Sequence, residues 1–134
     1  MRSRLLAVAG ALALALGGLV LLPATPALAA DPAHCSQFGT HPDLYNGGGI
    51  SFANGTNIRT GVYTDCTSLG EGFPSQGIDV HCARVNSNNF LWLYVVDGTT
   101  GKQGWARFDA LRYAFTVLVP DCRNNGGGFI IGMT

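Results

Sequence analysis

A small, all-β, disulfide-stapled domain is predicted by three features of the sequence. Beyond residue 55, short runs rich in β-branched and aromatic residues recur at regular spacing with Gly, Asn and Asp turn signals between them. The clearest is Gly101-Lys102-Gln103-Gly104-Trp105-Ala106-Arg107-Phe108-Asp109-Ala110-Leu111, a glycine-framed turn that feeds a short strand. The third feature is a set of four cysteines, Cys35, Cys66, Cys82 and Cys122, an even count in a short chain. Together they point to a small closed barrel or a sandwich.

The first 29 residues lie outside any fold. Arg2 and Arg4 open a leader, Leu5 to Leu22 is apolar throughout, and Ala27-Leu28-Ala29 supplies a small-residue cleavage site. The expected product is a secreted protein with no membrane segment after cleavage. A retained spanning helix is the rival, but no basic stop-transfer cluster follows. A lipid anchor is disfavoured because Ala33-His34 precedes Cys35.

The remainder suffices for one small domain. Without Arg2 and Arg4 it holds six Lys and Arg against eight Asp and Glu, so no basic patch points to nucleic acid. Its four cysteines allow three pairings. The preferred set is Cys66 to Cys82 as a local clamp and Cys35 to Cys122 as a tie between the ends. Zinc is the alternative, with His34 and His41 flanking Cys35, but no close Cys-x-x-Cys pair supports it, and neither metal nor cofactor is expected.

Taken in order, Asp31 to Tyr45 reads as an extended lead-in held by Cys35. Asn46-Gly47-Gly48-Gly49 breaks the chain before a short strand, Ile50-Ser51-Phe52. The same phrase returns as Asn125-Gly126-Gly127-Gly128 before Phe129-Ile130-Ile131, which suggests that the two terminal strands pair. Asn57 to Gly61 reads as a strand entering a long irregular loop, Val62 to Gly77, where binding is expected. Gly77 to Val85 alternates, with Ile78, Val80 and Cys82 on one face and Asp79, His81 and Ala83 on the other. Asn86 to Asn89 is a turn, Phe90 to Val96 a strand, Asp97 to Gly101 a turn, and Lys102 to Phe108 the next strand. Tyr113 to Val119 reads as one further strand ended by Pro120.

The succession Asn57-Ile58-Arg59, a glycine-punctuated loop, Gly77-Ile78-Asp79-Val80-His81-Cys82, Trp92-Leu93-Tyr94-Val95, Gly101-Lys102-Gln103-Gly104-Trp105-Ala106 and Leu111 resembles bacterial SH3-like domains. The match covers residues 56 to 112, and the order of its motifs is more specific than any one of them. Cys66 and Cys82 look like the positions that secreted actinobacterial members join by a cystine. Gly61-Val62-Tyr63 departs from the family's Gly-Pro or Ser-Pro, and Ala106 stands where valine is commoner.

The resemblance implies a five-stranded, partly open SH3-like barrel at 56–112, between an N-terminal extension at 30–55 and a C-terminal strand with a glycine-rich tail at 113–134. It also implies binding of cell-wall peptide or glycan, as in the targeting arms of peptidoglycan hydrolases. In this chain the arm is expected to act alone or through partners, secreted and associated with the cell wall.

The candidate ligand-binding residues are Tyr63, Trp92, Trp105 and Tyr113, joined by Tyr94, whose rings could line a shallow groove. The competing reading places Trp92 and Trp105 in the core. Asp79 and His81 share a strand face, the spacing of a base and its orienting carboxylate, but no recognisable nucleophile accompanies them. A Cys-His hydrolase would need one free thiol in an even set. Asp97-Gly98-Thr99 lacks the later acidic ligands of a calcium loop, and Asn54-Gly55-Thr56 fits a glycosylation acceptor only by a short match. The expected function is therefore non-enzymatic binding. The alternative is a secreted inhibitor of an extracellular enzyme, with Val62 to Gly77 as the inhibitory segment.

Overall fold

The computed structural model describes residues 32–36, 39–123 and 126–132, so the leader at 1–29 and Asn125 lie outside the described residues. The strands are β1 (Ile50–Phe52), β2 (Thr56–Arg59), β3 (Ser68–Gly72), β4 (Ile78–Val85), β5 (Leu91–Asp97), β6 (Gln103–Arg107), β7 (Leu111–Tyr113), β8 (Val117–Pro120) and β9 (Gly128–Ile131). Among the described residues, helix is confined to 3-10 turns at Ala33–Cys35 and Phe108–Ala110. The all-β expectation holds. Among the described residues no helix is long and apolar enough to cross a membrane.

A five-stranded sheet in the order β3-β2-β6-β5-β4 forms the centre, with β1–β7 and β8–β9 as two antiparallel pairs beside it. Because β3 and β4 are its two unjoined edges, the sheet is partly open. Period-2 alternation explains why β5 reads as almost wholly apolar: both of its faces are covered. Leu93 and Val95 enter a main core with Phe52, Ile58, Val80, Ala83, Ala106, Leu111, Val119 and Ile131. Trp92 and Tyr94, on the other face, pack with Val62, Cys82 and Trp105 in a second, aromatic cluster. Phe52 in β1 and Ile131 in β9 thus belong to the same core as the central sheet.

Two glycines permit this arrangement. Gly101 closes the β5–β6 turn at φ 72°, a conformation most residues avoid. A side chain on Gly104 would stand 2.5 Å from the Arg59 carbonyl oxygen, so only glycine lets β6 lie this close to β2. Asp97 completes the turn, accepting bonds from the Thr99 N–H (2.8 Å) and the Thr100 hydroxyl (2.7 Å) while fully buried. Burial pushes its carboxyl up, but the bonds from Thr100 and Thr99, with the Lys102 charge, outweigh that and hold it below the ordinary aspartate value.

Five expectations are corrected. The cystines are Cys35–Cys66 and Cys82–Cys122, not Cys66–Cys82 and Cys35–Cys122. Cys66 leads into β3 and Cys82 sits on β4, at opposite edges of the sheet. A bulge between Val80 and Cys82 also breaks the simple alternation of β4: Val80 and Ala83 face the main core, whereas Cys82 turns to the aromatic cluster. There it meets Cys122, whose N–H bonds the Ala83 carbonyl at 2.9 Å. Each cystine therefore ties a flanking segment to the sheet.

The segment from Val62 to Gly77 is not wholly irregular, because Ser68–Gly72 pairs with β2. Its glycines hide a strand that pairing, not propensity, creates. Tyr113 to Val119 is two strands, since Leu111–Tyr113 pairs with β1 and Val117–Pro120 with β9, and the chain bends between the two partners. The glycine-introduced segments Ile50–Phe52 and Gly128–Ile131 accordingly do not pair with each other.

Candidate functional site

Three connections converge on one side of the aromatic cluster. The first is the loop after β2, where Tyr63, Thr64 and Asp65 sit beside the Cys35–Cys66 cystine. The second is the β4–β5 turn, which the buried Asn86 organises. Its side chain accepts bonds from the N–H groups of Asn88 (3.0 Å) and Phe90 (2.9 Å) and donates to the Val62 carbonyl (2.7 Å). That last bond joins turn to loop. Tyr63 reinforces the joint through a 2.9 Å bond with the Ser87 hydroxyl. The third connection is the end of β6 with the Phe108–Ala110 turn.

Between them lie two depressions of about 360 and about 260 Å³. Both are lined by Thr64, Trp92 and Arg107, which makes them adjoining halves of one cleft. The larger half adds Tyr63, Asp65, Asn88 and Phe90, and the smaller adds Asn57, Arg59 and Asp109. Trp92 forms part of the shared floor and is 2% exposed. Its indole N–H is buried with no hydrogen-bond partner among the described residues. Leaving such a donor unpaired costs about 1–3 kcal/mol, which makes it conspicuous in a well-packed layer.

Two of the charges in the cleft, Arg107 and Asp109, form an ion pair. Arg107 donates through Nε and Nη2 to both oxygens of Asp109, and its guanidinium lies 5.3 Å from the centre of the Phe90 ring. The bond from Arg107 holds the Asp109 carboxyl below its usual range and raises the guanidinium in turn. At the mouth, His34 bonds Asp65 at 3.1 Å and sets its ring edge-on to Tyr63 at 4.5 Å. The His34 bond keeps the Asp65 carboxyl low. Arg59 donates to the Cys66 carbonyl at 2.7 Å.

Of the residues chosen from sequence, the structure brings Tyr63 and Trp92 together in this cleft. Trp105 is fully buried, packed edge-on against Tyr94 at 5.4 Å and His41 at 4.8 Å, so its ring cannot line a groove. Tyr113 stacks on Phe108 at 4.8 Å and donates to its carbonyl at 2.8 Å, away from the cleft. Its burial, with Asp109 nearby, raises the phenol far above its ordinary value. Sequence reasoning missed Asn86, Phe90 and Arg107. The Asn86-Ser87-Asn88-Asn89 turn beside an apolar Phe90 was the signal available, since a phenylalanine at a turn that ends 50% exposed is spare to the core.

No protein-family model, curated protein or solved structure matches this chain. The site must therefore be read from its own chemistry.

Asp79 and His81 do meet, with Oδ2 and Nε2 3.4 Å apart, but neither lines the cleft. All four cysteines are oxidised, which leaves no thiolate for zinc or for nucleophilic attack. What the cleft offers is aromatic surface, amide groups and the Arg107–Asp109 ion pair, with one unpaired donor buried in its lining.

Proposed function

We propose that this chain is a secreted, non-enzymatic binding module of the bacterial SH3-like kind, and that the Tyr63–Trp92–Phe90 cleft takes cell-wall peptide or glycan. The five-stranded, partly open sheet β3-β2-β6-β5-β4, built from the stretch that carries those motifs, supports the resemblance. Two disulfides suit an oxidising compartment. The observation that carries the reading is the unpaired, buried indole N–H of Trp92, a residue that lines the cleft. That donor is buried, so a ligand carbonyl or hydroxyl would satisfy it only by displacing the rotatable side chains that cover it. The covered indoles favour an extended peptide, rich in carbonyl acceptors, over a sugar that needs an open ring face.

Sedimentation with insoluble peptidoglycan tests this. The protein should enter the pellet at low ionic strength, and Trp92→Phe, which keeps an aromatic ring but deletes the donor, should weaken retention about tenfold. A protein that stays in the supernatant while inhibiting an extracellular protease would overturn the reading in favour of an inhibitor.

A further inference from the structure

On the side of β4 away from its partner β5, the N-terminal strap runs past the bulge at His81. The Leu44 N–H donates to the His81 carbonyl at 3.0 Å, and His81 Nδ1 donates to the His41 carbonyl at 2.9 Å. Two bonds in opposite directions thus hold strap and strand in one relative position. The second also fixes the imidazole. With its proton committed at Nδ1, neutral His81 carries its lone pair on Nε2. That atom lies 3.4 Å from Oδ2 of Asp79, two residues before it on β4, and the Asp43 carboxylate, on the strap, belongs to the same cluster.

The three ligand atoms lie within 4.8 Å of one another. The edge already formed, Asp79 Oδ2 to His81 Nε2, is 3.4 Å, and a tetrahedral centre with bonds of about 2.1 Å needs ligand atoms roughly 3.4 Å apart. Asp43 is exposed, so it can close the remaining distance by a change of rotamer. A backbone carbonyl on the far ring nitrogen is the usual partner of a metal-bound histidine. An ion pair between His81 and Asp79 would use one carboxylate and leave the second beside it with no charge to answer.

From this geometry we infer a divalent transition-metal site, formed by Asp43, Asp79 and His81, that clips the N-terminal strap to β4. One imidazole with two carboxylates suits zinc or a similar borderline cation better than calcium, which takes oxygen ligands. Three protein ligands leave a position for water. The site is separate from the cleft, and the inference does not rest on what the cleft binds. Its effect is local: the strap carries His41 and Leu44 over Tyr94 and Trp105, so a bound cation stabilises the cover of the aromatic cluster.

Titration of the purified, metal-free protein with zinc chloride tests it by calorimetry, by melting temperature and by the ring-nitrogen NMR signals of its histidines. Zinc should bind one to one with a micromolar dissociation constant, raise the melting temperature by about 5 °C at saturation and shift the His81 Nε2 signal. Asp43→Asn and His81→Gln should each weaken binding at least tenfold, whereas Glu71→Gln on β3 should bind as the wild type does. Asp43 is exposed, so that variant keeps its fold and stands as a test even where His81→Gln does not. No binding at about 1 mM zinc, or wild-type affinity in Asp43→Asn, would overturn the site.

Discussion

Trp92 and Trp105 occupy one aromatic layer, on adjacent strands of the same sheet, yet they meet different neighbours. Trp105 lies beneath His41 of the N-terminal strap, with Tyr94 against its edge. Trp92 lies at the other end of the layer, where the cover consists of side chains from a loop, a turn and the end of β6, with His34 of the N-terminal segment at the mouth. One half of the layer is closed by His41 and Leu44 of a strap that is bonded to β4 at His81, and it is core. The other is closed by rotatable side chains and remains a cleft. Burial alone does not separate the two indoles, at 2% and 0% exposed; what lies above them does.

Truncation should show the difference first and most strongly. Trp105→Ala empties a packed position and should cost about 3–5 kcal/mol in urea unfolding, enough to threaten a domain of this size. Phe90→Ala, on the cleft side, removes a ring that is half in water and should cost under about 1 kcal/mol while weakening retention on peptidoglycan. Similar losses of stability from both variants would erase the distinction between core and cleft.

How much of this could be read beforehand follows from where the information resides. The strands β4, β5 and β6 carry their own patterns, alternation in Gln103 to Arg107 and continuous apolarity in Leu91 to Val96, so their existence was legible. β3 was not, because Ser68-Leu69-Gly70-Glu71-Gly72 has no strand propensity and exists by pairing with β2. The cystine partners were equally hidden. A one-residue bulge at His81 reverses the face of Cys82, and neither spacing nor alternation records a bulge. At the site, aromatic composition identified Tyr63 and Trp92 but could not exclude Trp105, since a strand residue's face says nothing about which segment covers it. Arg107 and Asn86 were invisible because their roles depend on contacts between separate connections.

The two cystines offer the next test, since each secures a different part of the layer. Loop-closure entropy assigns about 4 kcal/mol to each, for sequence separations of 31 and 40 residues. Their local consequences should differ. Cys35→Ala with Cys66→Ala frees the segment carrying His34 and the loop carrying Asp65, both at the cleft mouth, and should weaken binding beyond its effect on melting temperature. Cys82→Ala with Cys122→Ala releases the C-terminal segment from β4 and should lower the melting temperature with cleft affinity retained in the folded fraction. Equal loss of affinity in both double variants would mean that the cleft depends on the whole layer and not on its own loops.

The smallest expected effect concerns charge, and it contrasts the covered turn with the open cleft. Asp97 and Asp109 both have carboxyls held below their ordinary values, so each contributes stability that is present above an unfolded aspartate's value of about 3.9 and fades as pH falls through the lower folded value. The environments set the size. Asp97 is buried and answers two backbone N–H groups and a hydroxyl, so Asp97→Ala should cost about 2–3 kcal/mol at pH 7. Asp109 is more than half exposed in its ion pair with Arg107, where solvent screens the charges, and Asp109→Asn should cost under about 1 kcal/mol. Urea unfolding between pH 7 and pH 3 checks both: the pH-dependent part of the Asp109→Asn difference should vanish on acidification and shrink in 0.5 M salt, whereas the Asp97→Ala difference should resist salt. A salt-sensitive Asp97 would mean that the β5–β6 turn is as open to solvent as the cleft, and that the contrast between the two regions lies in shape alone.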